Sequence, residues 1–172
     1  MMADAMSIPT PHHTLNGKWD LYYHLPNVNK WDLSSYTIIM NSIDTVEKVL
    51  ALNDKINENI VKNCMLFVMR EGITPMWEDP KNRVGGCFSY KVANKQVYEV
   101  WTQLFYALCG ETLTVDASLS KHINGITISP KKNFCIIKIW LDTAQYQDAN
   151  MISSIPHLLK QGCLFKKHEP EF

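Results

Sequence analysis

Three stretches of the chain repeat apolar residues at helical spacing, and seven shorter runs between and around them are β-rich. The first helical stretch, Asp44 to Ile60, sets Val49, Leu52, Ile56 and Ile60 on one face, with Asp44 as N-cap and Glu47 three residues on, the spacing of a capping box. The second, about Asn94 to Cys109, repeats Val97, Val100, Trp101, Leu104, Phe105 and Leu108 and stops at Gly110, where a left-handed cap is expected. The third, about Asp148 to Gln161, has Ile152, Ile155, Leu158 and Leu159 on one side. Pro156 lacks an amide donor and should kink that helix or delay its start, and Gly162 ends it.

The β-rich runs are Gly17 to Leu25, Tyr36 to Met40, Asn63 to Met69, Gly86 to Val92, Ile123 to Ser129, Asn133 to Leu141 and Cys163 to Lys167. Several follow one another across turns too short for a helical crossover, which predicts an α+β fold with a mainly antiparallel sheet and helices packed on one face. The other face is then open to a ligand.

Composition narrows this further. A chain of 172 residues with 46% apolar content can bury one sizeable core, so a single domain, 14–172, is expected behind a polar, Pro-containing and flexible tail, 1–13. Lys plus Arg and Asp plus Glu each total 17, which argues against a broad basic surface for long phosphate tracts and makes any nucleic-acid contact local. Cys64, Cys87, Cys109, Cys135 and Cys163 are odd in number and too far apart for a Cys-x-x-Cys motif, so they read as reduced, mostly buried thiols with no metal or redox role. No run has the apolar length of a membrane span. A cytoplasmic address follows by default and leaves the nucleus open.

The candidate chemistry lies in Ile73-Thr74-Pro75-Met76-Trp77-Glu78-Asp79, where an indole sits beside a carboxylate in a Pro-containing loop, with Trp31 and Trp140 elsewhere in the chain. A flat ring held between two tryptophans gains dispersion and apolar burial, and a cationic ring gains about 0.5–2 kcal/mol more. Guanine methylated at N7 is such a ring, and its N1 and N2 hydrogens form a paired donor edge that one carboxylate accepts bidentately. By themselves these residues fit a solvated loop with a partly buried indole better than a binding site, and Lys131-Lys132 after Pro130 fits a charged hairpin turn.

A wider match decides between those readings. His13 and Trp19, Asp44-Thr45-Val46-Glu47, Gly72 to Asn82, Gly85-Gly86, Trp101, Gly110-Glu111 and Trp140 occur in the order and near-constant spacing of the eukaryotic translation initiation factor 4E family, which the chain resembles as a divergent, C-terminally shortened member. That family binds the 7-methylguanosine 5′ cap of messenger RNA. The resemblance implies a curved antiparallel sheet of about seven or eight strands, three helices on its convex back, and the cap on its concave side. It implies Trp31 and Trp77 as stacking rings, Glu78 at the guanine N1–N2 edge, and Trp140 at the N7-methyl group. Of the family's two phosphate-binding positions, the first is Lys131 here and the second falls on Ile136; Lys138, two residues further along the same strand face, is expected to substitute, with help from Lys132. A family arginine after the double glycine is replaced by Cys87.

The resemblance also implies a scaffold protein of the initiation factor 4G type, or a dedicated divergent equivalent, on the convex face, met by His13, Val46, Leu50, Trp101, Thr102 and Gln103. Three departures stand out. Leu50 occupies the place of a family tryptophan, Thr102-Gln103 that of a Leu-Glu pair, and Thr14 that of a proline. Since Trp anchors and charged acceptors dominate such interfaces, a consensus scaffold peptide is expected to bind poorly. Only ten residues follow Gly162, so the family's loop toward the next nucleotide is expected to be missing. These changes point to a divergent eukaryote or a virus infecting one. Two roles follow for a monomeric, cofactor-free protein: recruitment of capped mRNA in translation initiation, or a cap-binding repressor that does not engage the scaffold. An enzyme would need a general base, metal carboxylates or an activated nucleophile, and no motif supplies one.

Overall fold

The structure, a computed structural model, describes residues 12–25 and 27–169. The expected tail lies, up to residue 11, outside the described residues. Seven strands form one antiparallel sheet: β1 (Thr14–His24), β2 (Thr37–Thr45), β3 (Met65–Arg70), β4 (Gly86–Ala93), β5 (Ile123–Pro130), β6 (Phe134–Leu141) and β7 (Leu164–Lys167). Their spatial order is β2-β1-β3-β5-β6-β4-β7. Register shifts between β1 and β2 and between β5 and β6 bend it, as an extra residue in one strand of a pair does. The α+β architecture expected from the sequence is therefore present, with helices α1 (Val46–Lys55), α2 (Glu58–Asn63), the short α3 (Pro80–Arg83) and α4 (Val97–Cys109).

Alternation along the strands sorts side chains onto two faces. Cys135, Ile137 and Ile139 of β6 and Leu66 and Val68 of β3 face the main core, where they join Val49 and Leu52 of α1, Val61 of α2 and the apolar stripe of α4. Their neighbours face the other way: Tyr22, Phe67, Met69, Cys87 and Trp140, together with Ile73, form a second buried cluster on the concave side. The double glycine permits the crowded start of β4. A Cβ on Gly85 would lie 1.9 Å from Leu141 O, and one on Gly86 2.5 Å from Lys166 O, so any larger residue would push β4 off its neighbours.

Local chemistry departs from the sequence expectation at three places. The stretch 44–60 is two helices, because β2 runs on through Asp44 to Thr45, which is the true N-cap and accepts from Lys48 N, while Asn57 caps α2 through Ile60 N. Asp44 instead pairs with Lys48 Nζ at 2.7 Å. At the end of α4, Gly110 keeps a right-handed φ of −81°, and the left-handed residue is Glu111, whose carboxylate is held 2.7 Å from Arg70 Nη1.

The third helix expected at 148–161 does not form. Only a 3-10 turn, Ala149–Met151, is present; Ile152 then pairs with Thr114, and Ser153 N donates to Leu113 O. These pairings, with the donor missing at Pro156, hold the segment as an irregular strap that still buries Met151, Ile152, Ile155 and Leu158. Leu159, expected on the same face, is exposed.

Candidate functional site

A hollow of about 480 Å³ opens on the concave side, lined by residues from four separate stretches of sequence, one of them Met65 and Phe67 of β3. Trp31 and Tyr36 come from the connection between β1 and β2, Met76, Trp77 and Glu78 from the loop before α3, and Thr127, Lys131, Ile136, Lys138 and Trp140 from the β5–β6 hairpin. Trp31, Trp77, Glu78, Trp140, Lys131 and Lys138 thus face one cavity. Lys132 does not line it: it is exposed in the hairpin turn, where Lys131 N donates to Phe134 O.

The Trp77 loop is fixed from below. Asp79 caps α3, and its carboxylate accepts from Thr74 N at 2.8 Å and Thr74 Oγ1 at 2.9 Å. Burial alone would raise its pKa, but the hydrogen bonds from Thr74 and from Lys81 N win and hold it below the usual carboxylate range. Asn82, fully buried, donates to Thr74 O and Met76 O and accepts from Asn124 Nδ2 of β5. With Ile73 buried beneath, the loop has little freedom, and Trp77 and Glu78 project from it half exposed and exposed respectively. Asp79 is committed to this turn, so it is not half of an acid–base pair with Glu78.

Glu78 makes no hydrogen bond or ion pair among the described residues, so its acceptor edge is available to a ligand. Its charge is felt by Tyr36, whose phenol is pushed up to about 12 by burial first and by Glu78 second. Trp140 is set into the floor: its indole N–H donates to Thr127 Oγ1 at 3.2 Å, leaving the ring to the cavity.

Three features of the site escaped the sequence. His24, at the end of β1, stacks on Trp31 with ring centroids 4.2 Å apart and planes 2° apart. His168 sits against Trp140 with ring centroids 4.7 Å apart, and its Nδ1–H donates to Asn82 O at 2.8 Å. Burial, with Lys138 adding to it, lowers its pKa. A second hollow adjoins the first past Trp77, Lys138 and Trp140, and brings in Lys166 and Lys167 of β7. Lys166 lies directly across from Cys87. Register was the signal available in principle, since paired residues share a face.

On the helix side, Leu15, Val46, Val49, Leu50, Tyr106, Cys109 and Gly110 line an apolar hollow of about 230 Å³. Val46 and Leu50 are exposed there, as a docking surface needs. Trp101 is not: it is 1% exposed and packs on Phe105 inside the core, which corrects its place among the expected partner contacts. Thr102 and Gln103 lie on α4 outside this hollow. His13 is engaged with α1, its backbone N–H and Nδ1 both meeting the Glu47 carboxylate.

Among the described residues no group of three or more His, Cys, Asp or Glu is placed to hold a metal ion, and no helix is long and apolar enough to cross a membrane. The five cysteines are free thiols.

Comparison with known proteins bears on the family and the fold. Residues 14–170 match the sequence model described as "Eukaryotic initiation factor 4E". A translation initiation factor 4E homolog of Acanthamoeba polyphaga mimivirus is 48% identical over 63 residues, 37% of this chain and 23% of that protein. The initiation factor 4E of Saccharomyces cerevisiae is 32% identical over 133 residues, 74% of this chain and 61% of that one, so the matched part spans less than two thirds of either relative. Among solved structures, a complex of C. elegans eIF4E-3 with the 4E-binding protein Mextli and a cap analog superposes with a TM-score of 0.69 at 26% identity, covering 78% of this chain and 76% of that one. A second, Ascaris suum eIF4E-3 with the m7G cap, has a TM-score of 0.70 at 23% identity over 81% and 79% of the two chains, a likeness of fold. With a family match over nearly the whole described structure, the chain belongs to the eukaryotic initiation factor 4E family.

Proposed function

We propose that this protein binds the 7-methylguanosine cap of mRNA and, through that contact, brings capped mRNA to translation initiation. The observation that carries the reading is the convergence of Trp31, Trp77, Glu78 and Trp140 on one hollow from distant parts of the chain. The base lies between Trp31 and Trp77, its N1 and N2 hydrogens donate to Glu78, and the N7-methyl group meets Trp140. Positive charge on the base strengthens the stack, and the charge-assisted pair at Glu78 reads the guanine edge. Lys131 and Lys138 take the phosphates, with Lys166 next along the sheet. The S. cerevisiae relative, named as a translation initiation factor, and the C. elegans eIF4E-3 complex with a cap analog support the reading. It is a binding site, with no catalytic step.

The partner on the convex face is a scaffold protein or a dedicated equivalent that lays an apolar helix face into the hollow at Val46 and Leu50. The C. elegans complex with a 4E-binding protein supports a partner of this kind. A cap-binding repressor is the second reading, favoured by Leu50 and Gln103, which offer neither an indole nor a carboxylate to a consensus motif.

Retention on immobilised 7-methyl-GTP tests the proposal. Trp77→Ala and Glu78→Ala should each abolish retention without loss of fold, and either variant being retained like the unmodified protein would sink it.

A further inference from the structure

Trp31 is the half of the slot with the least support of its own. It is 50% exposed and sits in a connection whose regular structure is one 3-10 turn, Leu33–Ser35, capped by Asp32. Trp77, by contrast, stands on a loop pinned by Asp79 and Asn82. Something else must set the angle at which the Trp31 ring meets a ligand.

That element is His24. Its ring is fully buried at the end of β1, where the strand is anchored by pairing with Met65 of β3. One face lies flat on Trp31, and Tyr36 closes a further side edge-on at 5.1 Å, itself braced by Phe67 at 5.2 Å. The ring nitrogens reach the connection that carries Trp31. Nδ1 lies 2.9 Å from Leu25 O, and Nε2 lies 2.8 Å from Lys30 O and 3.1 Å from Ser35 Oγ. Whichever nitrogen carries the proton, the ring donates to a carbonyl at the start of this connection or to the one immediately before Trp31; a ring protonated at both serves both.

We infer that His24 is the positioning residue of the cap slot: it backs one face of Trp31 and, through its protonated ring nitrogen, ties down Leu25 O or Lys30 O of the connection that carries it, so that the opposite face of the indole is presented to the base at a fixed angle. The inference rests on the cap-binding reading above. Its energetic logic is preorganisation. A loosely held stacking ring must be ordered when the ligand arrives, and that ordering cost is deducted from affinity, whereas His24 has met it beforehand. His24 itself touches no ligand, since it is fully buried and absent from the cavity lining.

A role exercised through Trp31 has a signature that general destabilisation lacks, namely non-additivity. The test is a double-mutant cycle read by titration with 7-methyl-GTP, using His24→Ala and His24→Phe, each alone and combined with Trp31→Ala. His24→Ala should weaken binding by roughly tenfold, and His24→Phe, which keeps a flat ring behind the indole and loses the hydrogen bonds, by roughly threefold. In the Trp31→Ala background neither substitution should weaken binding further. Indole emission gives a ligand-free readout: His24→Ala should change the fluorescence of the protein, and the change should vanish when Trp31 is absent.

Equal weakening by the His24 variants in both backgrounds, or no weakening in either, would overturn the inference. If His24→Ala does not fold, the same criterion applied to His24→Phe decides. The cap reading fails separately, by Trp31→Ala binding 7-methyl-GTP as tightly as the unmodified protein.

Discussion

Replacing Asn82 by alanine tests whether the support beneath Trp77 and Glu78 matters as the geometry says. The side chain is fully buried and takes part in three hydrogen bonds: Nδ2 to Thr74 O at 3.1 Å, Nδ2 to Met76 O at 2.8 Å, and Asn124 Nδ2 to Oδ1 at 3.0 Å. Each is worth about 1 kcal/mol net, and a buried group left unpaired costs about 1–3 kcal/mol. The carbonyls of Thr74 and Met76 belong to half-buried residues that water can reach after the change, and Asn124 keeps its bond to Lys81 O. The sum is therefore about 2–4 kcal/mol, a fall in Tm of roughly 5–15 °C for a chain of this size. Because the lost bonds fasten the loop itself, affinity for 7-methyl-GTP should fall at a temperature where the variant is still folded. Asn82→Asp retains the acceptor for Asn124 but turns a buried carboxylate toward two carbonyls, and should be no better than alanine. Calorimetric unfolding and titration on the same samples check both quantities. A Tm within about 2 °C of the unmodified protein, with unchanged affinity, would refute the reasoning.

Four shorter predictions accompany it. Lys138→Ala should weaken 7-methyl-GTP by roughly fivefold and leave 7-methylguanosine almost unaffected, and its effect should shrink as salt is raised, because an exposed charge pair is screened. Lys132→Ala, outside the hollow, should leave both ligands unchanged in the same titrations. On the helix side, Leu50→Trp with Gln103→Glu should raise affinity for a Tyr-x-x-x-x-Leu-hydrophobic peptide by roughly tenfold in calorimetry, since aromatic and charged anchors carry such interfaces. Glu47 gives a pH prediction: its hydrogen bond with the His13 side chain holds it at about 2 against an ordinary 4.5. A depressed acid stabilises the fold above its unfolded value, and that contribution is lost as pH falls from about 4.5 toward 2. Glu47→Gln should flatten the pH dependence of stability across that window in denaturant titrations.

Much of the fold was legible because burial on a sheet follows a period of two. Ile137 and Ile139 alternate with Ile136 and Lys138, and this pattern places the β6 face that carries Lys138 on the open side of the sheet. The helix of residues 97–109 was equally plain, since all of its apolar stripe is buried. What stayed hidden depended on partners distant in sequence. Apolar spacing at 152–158 is served as well by a strap as by a helix, and only pairing with Leu113 and Thr114 decides between them. The break at Ile56 turns on whether Asn57 caps a second helix, which a continuous apolar period conceals. Trp101 looked like a partner contact by resemblance, yet its helical phase matches Val97, Leu104 and Leu108, which are core. His24 carried no motif: a lone histidine among the tyrosines of β1 reads as packing, and only the fold brings it under Trp31.

The base-recognition claim rests on Glu78 and the two stacking indoles acting on a cationic guanine. The direct measurement is the affinity of the protein for 7-methyl-GTP and for GTP, taken in parallel for the unmodified chain and for Glu78→Gln by quenching of tryptophan fluorescence. The unmodified protein should favour the methylated ligand by roughly two- to thirtyfold, the cation–π contribution being about 0.5–2 kcal/mol. Glu78→Gln, which loses one acceptor of the guanine edge and the charge, should weaken 7-methyl-GTP by a further large factor while the stack remains. Equal affinity for the two nucleotides, or full affinity for 7-methyl-GTP in Glu78→Gln, would contradict the account.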